Sequence, residues 1–185
     1  MMHRRTFLSG AALLLPPLTA RAASGGLHPQ LEQLVDGMLP TVKHFQSRSM
    51  YSPHAATIDR EGHLSAKALT SDGSKQFTVA QTIDYFTVNF RKLAQSGQIV
   101  ASGIFYHSRG VDTSSGKVVL PPASTIEECV ALVALLEHAS GQSLYLLLPY
   151  SNASGAVQYA TGRLIQKPAS VFVPEQPSGP ASNPR

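Results

Sequence analysis

The chain has 185 residues, with 15 Lys and Arg against 11 Asp and Glu, and a single cysteine. That length holds one ordinary domain with a core of its own. One cysteine excludes an intramolecular disulfide framework, and no run of clustered basic residues with interleaved aromatics marks a nucleic-acid surface.

Arg4 and Arg5 make a charged start, Gly10 to Leu18 (GAALLLPPL) an apolar segment, and Ala20-Arg21-Ala22 the small residues that flank a peptidase cut. The apolar run is about half of the ~20 residues that a spanning helix needs. Pro16 and Pro17 also interrupt it. With Phe7 and Leu8 after the arginine pair, the segment resembles a twin-arginine export signal. The resemblance implies that Arg4, Arg5, Phe7 and Leu8 are read by the export machinery and that Ala20 and Ala22 frame the cut. It also implies folding before export, a periplasmic or secreted product, and no stable membrane anchor after cleavage. An ordinary secretory signal containing two arginines is the alternative, which Arg21 just before the cut fits less well. Removing residues 1–22 takes away three basic residues and no acidic one, leaving 12 against 11 and a net charge of +1. The basic character therefore belongs to the leader and gives no argument for a nucleic-acid partner.

After the leader, Leu31, Leu34, Val35, Met38, Val42 and Phe45 recur at steps of three and four. This spacing predicts a helix over residues 27–45, with Pro29 in its first turn and a bend or division at Gly37 and Pro40. Short alternating runs at Ala55–Asp59 and Leu64–Leu69 predict a hairpin that turns at Glu61-Gly62. Ser71-Asp72-Gly73-Ser74 is a further turn. A second helix is predicted from Thr78 to Ser96, with Val79, Ile83, Phe86, Phe90 and Leu93 on one face and Gly97 as its stop. Ile99–His107 reads as a strand, and Lys117–Leu120 as a short one. Two apolar runs, Ala131–His138 and Leu144–Tyr150, flank the turn at Gly141 and read as a central hairpin covered on both faces. A helix capped by Ser124 and Glu127 is the alternative for the first run. Val157–Ile165 is an edge strand. From Pro168 onward five of eighteen residues are proline, a composition that predicts a disordered tail over 167–185.

These elements predict a single α+β domain over residues 27–166, with helices packed on one side of an antiparallel sheet of about five strands, in the order α-β-β-α-β-β-β. That order, together with the hairpin Ala56-Thr57-Ile58-Asp59-Arg60-Glu61-Gly62-His63, resembles the roadblock and profilin-like folds. The resemblance implies a dimerisation platform or a ligand sensor, and it carries over no functional residue.

Histidine is the residue most worth testing, but none of the six after the leader has a metal-binding spacing such as His-Glu-x-x-His. His54 and His63 bracket the first hairpin and lie roughly 20 Å apart along it, too far to share an ion. His107 and His138 each end a predicted strand. With Arg109 and Tyr150 they are expected to meet at one end of the sheet, as a small ligand-binding cluster for an anion or a metal. The simpler explanation is that strand ends are polar because they meet water. Cys129 lies among apolar neighbours and reads as a packing thiol. Its approach to His138 would have to span about 30 Å in a strand or over ~10 Å in a helix. Nucleophile elbows and phosphate-cradling loops are absent from the sequence. No catalytic residue, metal or cofactor is therefore assigned. The expectation is an exported, non-catalytic domain that binds a ligand or protein partner, or pairs with a second copy. The alternative is a small metal-dependent or His-based enzyme built on the strand-end cluster.

The leader can be tested directly. Replacing Arg4 and Arg5 together by lysine should leave unprocessed protein in the cytoplasmic fraction. Normal processing and recovery of that variant from the periplasm would rule out the twin-arginine route.

Overall fold

In the computed structural model, which describes residues 26–67, 69, 77–113, 117–125, 127–152 and 157–173, the chain forms an α+β domain. The leader 1–22, the turn over 71–74 and the tail beyond Val173 lie outside the described residues. The elements run α1 (Pro29–Ser47), β1 (His54–Ile58), β2 (Leu64–Lys67), α2 (Val79–Gln95), β3 (Ala101–Ser108), β4 (Ala131–His138), β5 (Ser143–Ser151), β6 (Gln158–Tyr159) and β7 (Arg163–Gln166). All strand pairs are antiparallel. The seven-stranded sheet runs β2-β1-β3-β4-β5, with β6 and β7 sharing the outer side of β5.

The strand count exceeds the expected five because residues 157–166 pair twice along β5. Tyr159 faces Tyr150, while Arg163–Gln166 runs beside Leu144–Leu147. Lys117–Leu120, expected as a strand, makes only a single bridge between Val119 and Asp112. Leu120 is buried beneath Tyr106, whose hydroxyl donates to the Leu120 carbonyl at 2.7 Å.

Helix α1 starts where Pro29 needs no hydrogen-bond partner and where the His28 ring accepts from the Gln30 amide at 3.3 Å. Leu31, Leu34, Met38 and Val42 form its buried stripe. The helix runs unbroken through Pro40 instead of dividing there. The packed stripe outweighs the one lost backbone bond, and the proline ring faces solvent. At Gly37 a Cβ would come within 2.8 Å of Leu64 Cδ1, so glycine lets the helix lie close on β2. Helix α2 carries a full capping box. The Gln81 amide donates to Thr78 Oγ1, and the Thr78 amide donates to Gln81 Oε1. Gly97, at φ +68°, takes the left-handed conformation after its end.

The two helices cover opposite faces of the sheet, not one. Neighbouring residues of a strand point to opposite faces. Ala56, Phe105, Leu132 and Leu136 pack under α1, whereas Ala55 and Ile104 pack with Phe86 and Phe90 of α2. β4 is apolar on both faces, so each needs cover. The β4–β5 hairpin is present as expected and the helical alternative is not. The first hairpin turns one residue wider than Glu61-Gly62. Asp59 pairs with His63 through its amide, and Gly62 supplies φ +87° in a three-residue turn.

The second face is completed by chain that composition alone assigned to the tail. Residues 167–173 lie against the sheet, with Val171 3% exposed among Phe86, Phe90 and Ile104. They are held by Glu137, a carboxylate on the α2 face of β4 with 3% of its side chain exposed. It accepts from the Lys167 ammonium, from the Ser170 hydroxyl, and from the amides of Ser170, Val171 and Phe172 at 2.9, 2.8 and 3.2 Å. Burial pushes this carboxyl up, but the bonds from Lys167, Ser170 and Val171 outweigh it and hold the group below its ordinary range.

A carboxyl depressed in the folded state adds stability at neutral pH. That stability is lost as pH falls below about 4.5, where the unfolded chain takes up the proton first. Glu137→Gln strands Lys167 in the core and should cost about 3–5 kcal/mol. Urea titration at pH 7 reads that loss. Thermal melts between pH 7 and 3 should show a flatter acid limb in the variant, and parallel limbs would contradict the latch.

Candidate functional site

Antiparallel pairing brings the start of β1, the end of β3, the start of β4 and the end of β5 to one end of the sheet. A cavity of about 510 Å³ opens there. One wall is the α1–β1 connection, with Ser49, Tyr51 and Ser52. A second is the start of α2, with Phe77, Val79 and Thr82. The third is the β3–β4 connection, with Ala123, Thr125 and Cys129. His107, the seventh residue of β3, lines the cavity and is only 3% exposed.

His107 sits in an aromatic and hydroxyl cluster. Its Nδ1 lies 3.1 Å from the Tyr150 hydroxyl, and the Tyr51 ring meets it edge-on at 4.7 Å between centroids. Tyr150 and Cys129 are near enough for each to shift the other's proton affinity, and the Cys129 thiol donates to the Thr125 carbonyl at 3.2 Å. Tyr159 packs against Tyr150 and donates to Gln46 of α1, and the Lys43 ammonium lies 4.2 Å above the Tyr159 ring. His54 stacks on Phe45 at 4.8 Å.

The cluster is electrically quiet. Burial, with the His54 ring nearby, pushes His107 down to about 4, so the imidazole is neutral at physiological pH. Burial also raises the Cys129 thiol and raises Tyr150 far above the usual phenol value. A reactive cysteine needs an electropositive setting that lowers its pKa, and a general base is most effective near the working pH. The three groups are each shifted the other way. They suit hydrogen bonding to a bound molecule better than proton or acyl transfer.

Of the residues expected from sequence, His107 and Tyr150 do meet. Arg109 is exposed beyond the cavity lining, with its amide donating to Pro121. His138 lies at the opposite end, because it pairs with Ala101, the first residue of β3. Six residues of strand, about 20 Å, separate it from His107. There it has a structural task. The Ser140 amide donates to its Nδ1 at 3.0 Å, so the ring proton sits on Nε2 and is donated to Gln30 at 2.7 Å. His28 stacks on it at 3.5 Å. Tyr51 and Cys129 are the site residues that sequence reasoning missed. The readable signal for Cys129 was its place two residues before β4, whose start meets the end of β3.

Among the described residues, Asp59, Glu61 and His63 are the group whose ligand atoms come within metal-binding reach of one another, all lying within 4.8 Å. They stand on the open β1–β2 turn, where Asp59 accepts from the His63 amide at 2.8 Å and so closes the turn.

A lowered imidazole has a clear sign for stability. The unfolded chain takes a proton near pH 6.5 and the folded cluster only near 4, so stability falls as pH drops between them, by up to about 1.4 kcal/mol per unit. The His107 ring resonances should stay at the neutral position from pH 8 to 5, and His107→Phe should flatten the stability profile from pH 6.5 to 4.5. A His107 titrating near 6.5 would contradict the quiet cluster.

No protein-family model matches the chain, and neither a curated protein nor a solved structure matches it.

Proposed function

We propose that the chain is a non-catalytic binding domain, exported to the periplasm or beyond, whose ligand occupies the cavity beside His107. The observation that carries this reading is a cavity of about 510 Å³ walled in part by buried polar side chains in their neutral forms. Ligand sites typically occupy 300–1,000 Å³ and combine apolar walls with a few placed polar groups. The walls join three separate connections over a rigid sheet end, an arrangement common to binding sites carried on loops. The enzymatic alternative asked His107 and His138 to act together, and about 20 Å of strand lies between them.

A fragment screen by ligand-observed NMR tests the reading. Hits should compete with one another and disappear in Ala123→Trp, which fills the cavity, provided that circular dichroism shows the variant folded. Hits indifferent to that substitution, or no hits at all, would refute the assignment of the cavity. So would stoichiometric metal in the purified protein that is lost in His107→Ala.

A further inference from the structure

We propose that the cavity takes an uncharged, partly apolar molecule that presents a hydrogen-bond acceptor, such as a carbonyl or amide oxygen, to His107. This rests on the reading of the cavity as the binding site and adds its chemical class.

The first argument is charge. Among the described residues, no lining side chain is an acid, a lysine or an arginine. An ion entering the cavity would give up hydration without meeting an opposite charge among these side chains. A neutral molecule gives up far less.

The second argument is the division of the walls. Leu69, Phe77 and Val79 give an apolar side, while Ser49, Ser52, Ser124 and Thr125 supply hydroxyls. Such walls suit a body without polar atoms joined to one polar end, the usual composition of small-molecule sites.

The third argument is the proton on His107. A neutral imidazole has one donor and one acceptor nitrogen. The Tyr150 hydroxyl lies 3.1 Å from His107 Nδ1. With the phenol proton directed to Nδ1, the imidazole keeps its own on Nε2. His107 is thus a donor with one direction left to give. Since it lines the cavity, the complementary ligand atom is an acceptor.

Benzamide, benzoate and benzamidine share one ring and one planar head of nearly equal size, and differ in charge. Two-dimensional amide NMR of the purified protein at neutral pH can follow all three. Benzamide should shift the amides of Thr82, Ala123 and Cys129 saturably, at least tenfold tighter than either ion. His107→Phe should weaken benzamide by roughly tenfold, the worth of one hydrogen bond, and leave the ions unchanged. Shifts at these amides from benzoate or benzamidine as strong as those from benzamide would keep the site and overturn the class. Selective benzamide binding that survives His107→Phe would overturn the acceptor–His107 contact. Shifts from none of the three, or shifts elsewhere only, would overturn the binding-site reading itself. The wild-type map alone decides the site and the charge class if the variant folds poorly.

Discussion

The buried carboxylate of Glu137 is the constraint on which much of the fold depends. A charge in an apolar layer is tolerable only when donors surround it. Here the donors come from one short segment, Lys167 and Ser170 to Phe172. Once that segment follows the carboxylate, Val171 falls between Phe86 and Phe90 of α2 and the second face of the sheet is closed. Arg91 of α2 donates to the Ser170 carbonyl at 2.8 Å, so the helix is tied to the same strap. The first turn of α2 is a wall of the cavity. A charge at one end of β4 thus helps to position a wall at the other.

The two buried histidines at the sheet ends show how context divides one residue type. His138 spends both ring nitrogens on its own neighbourhood and anchors the start of α1. The adjacent turn reinforces this, because the Gln142 side chain accepts from the His28 amide at 2.8 Å and donates to the Gly26 carbonyl at 3.1 Å. His107 spends one nitrogen on Tyr150 and sits against open space. Saturation makes the first a fastener; the second keeps a ring nitrogen to spare. Neither is charged at neutral pH on the burial argument, since desolvation lowers both.

Much of the fold was legible from local patterns. Helix α2 shows its cap at Thr78 and Gln81, its stripe at Phe86 and Phe90 and its stop at Gly97. The β4–β5 hairpin shows two apolar runs around Gly141. What stayed hidden depends on pairing over distance. Continuous apolar β4 implied cover on both faces, yet nothing local said that Val171 and Phe172, set among prolines, supply part of it. Composition averages over a segment, whereas Glu137 recognises three successive amides within it. The site suffered from the same limit. Both His107 and His138 end strands, but in an antiparallel pair the end of one strand meets the start of the next, and so His107 lies opposite Leu132 and shares the cavity with Cys129, not with His138. Tyr150 was legible because β5 runs back to the same end as β3.

The borders of the sheet carry a consequence for how copies of this protein meet. One border is β2, four residues long, and the other is shared by β6 and β7, of two and four residues. A strand from another molecule would find at most a four-residue ladder in any described border strand before the template ends. Long, flat, open edges invite sheet-to-sheet growth, and short ones blunt it. The longest strands, β3, β4 and β5, are enclosed on both sides. Among the described residues the short borders blunt edge-on stacking by geometry, and the exposed Lys67 and Arg163 add charge to them.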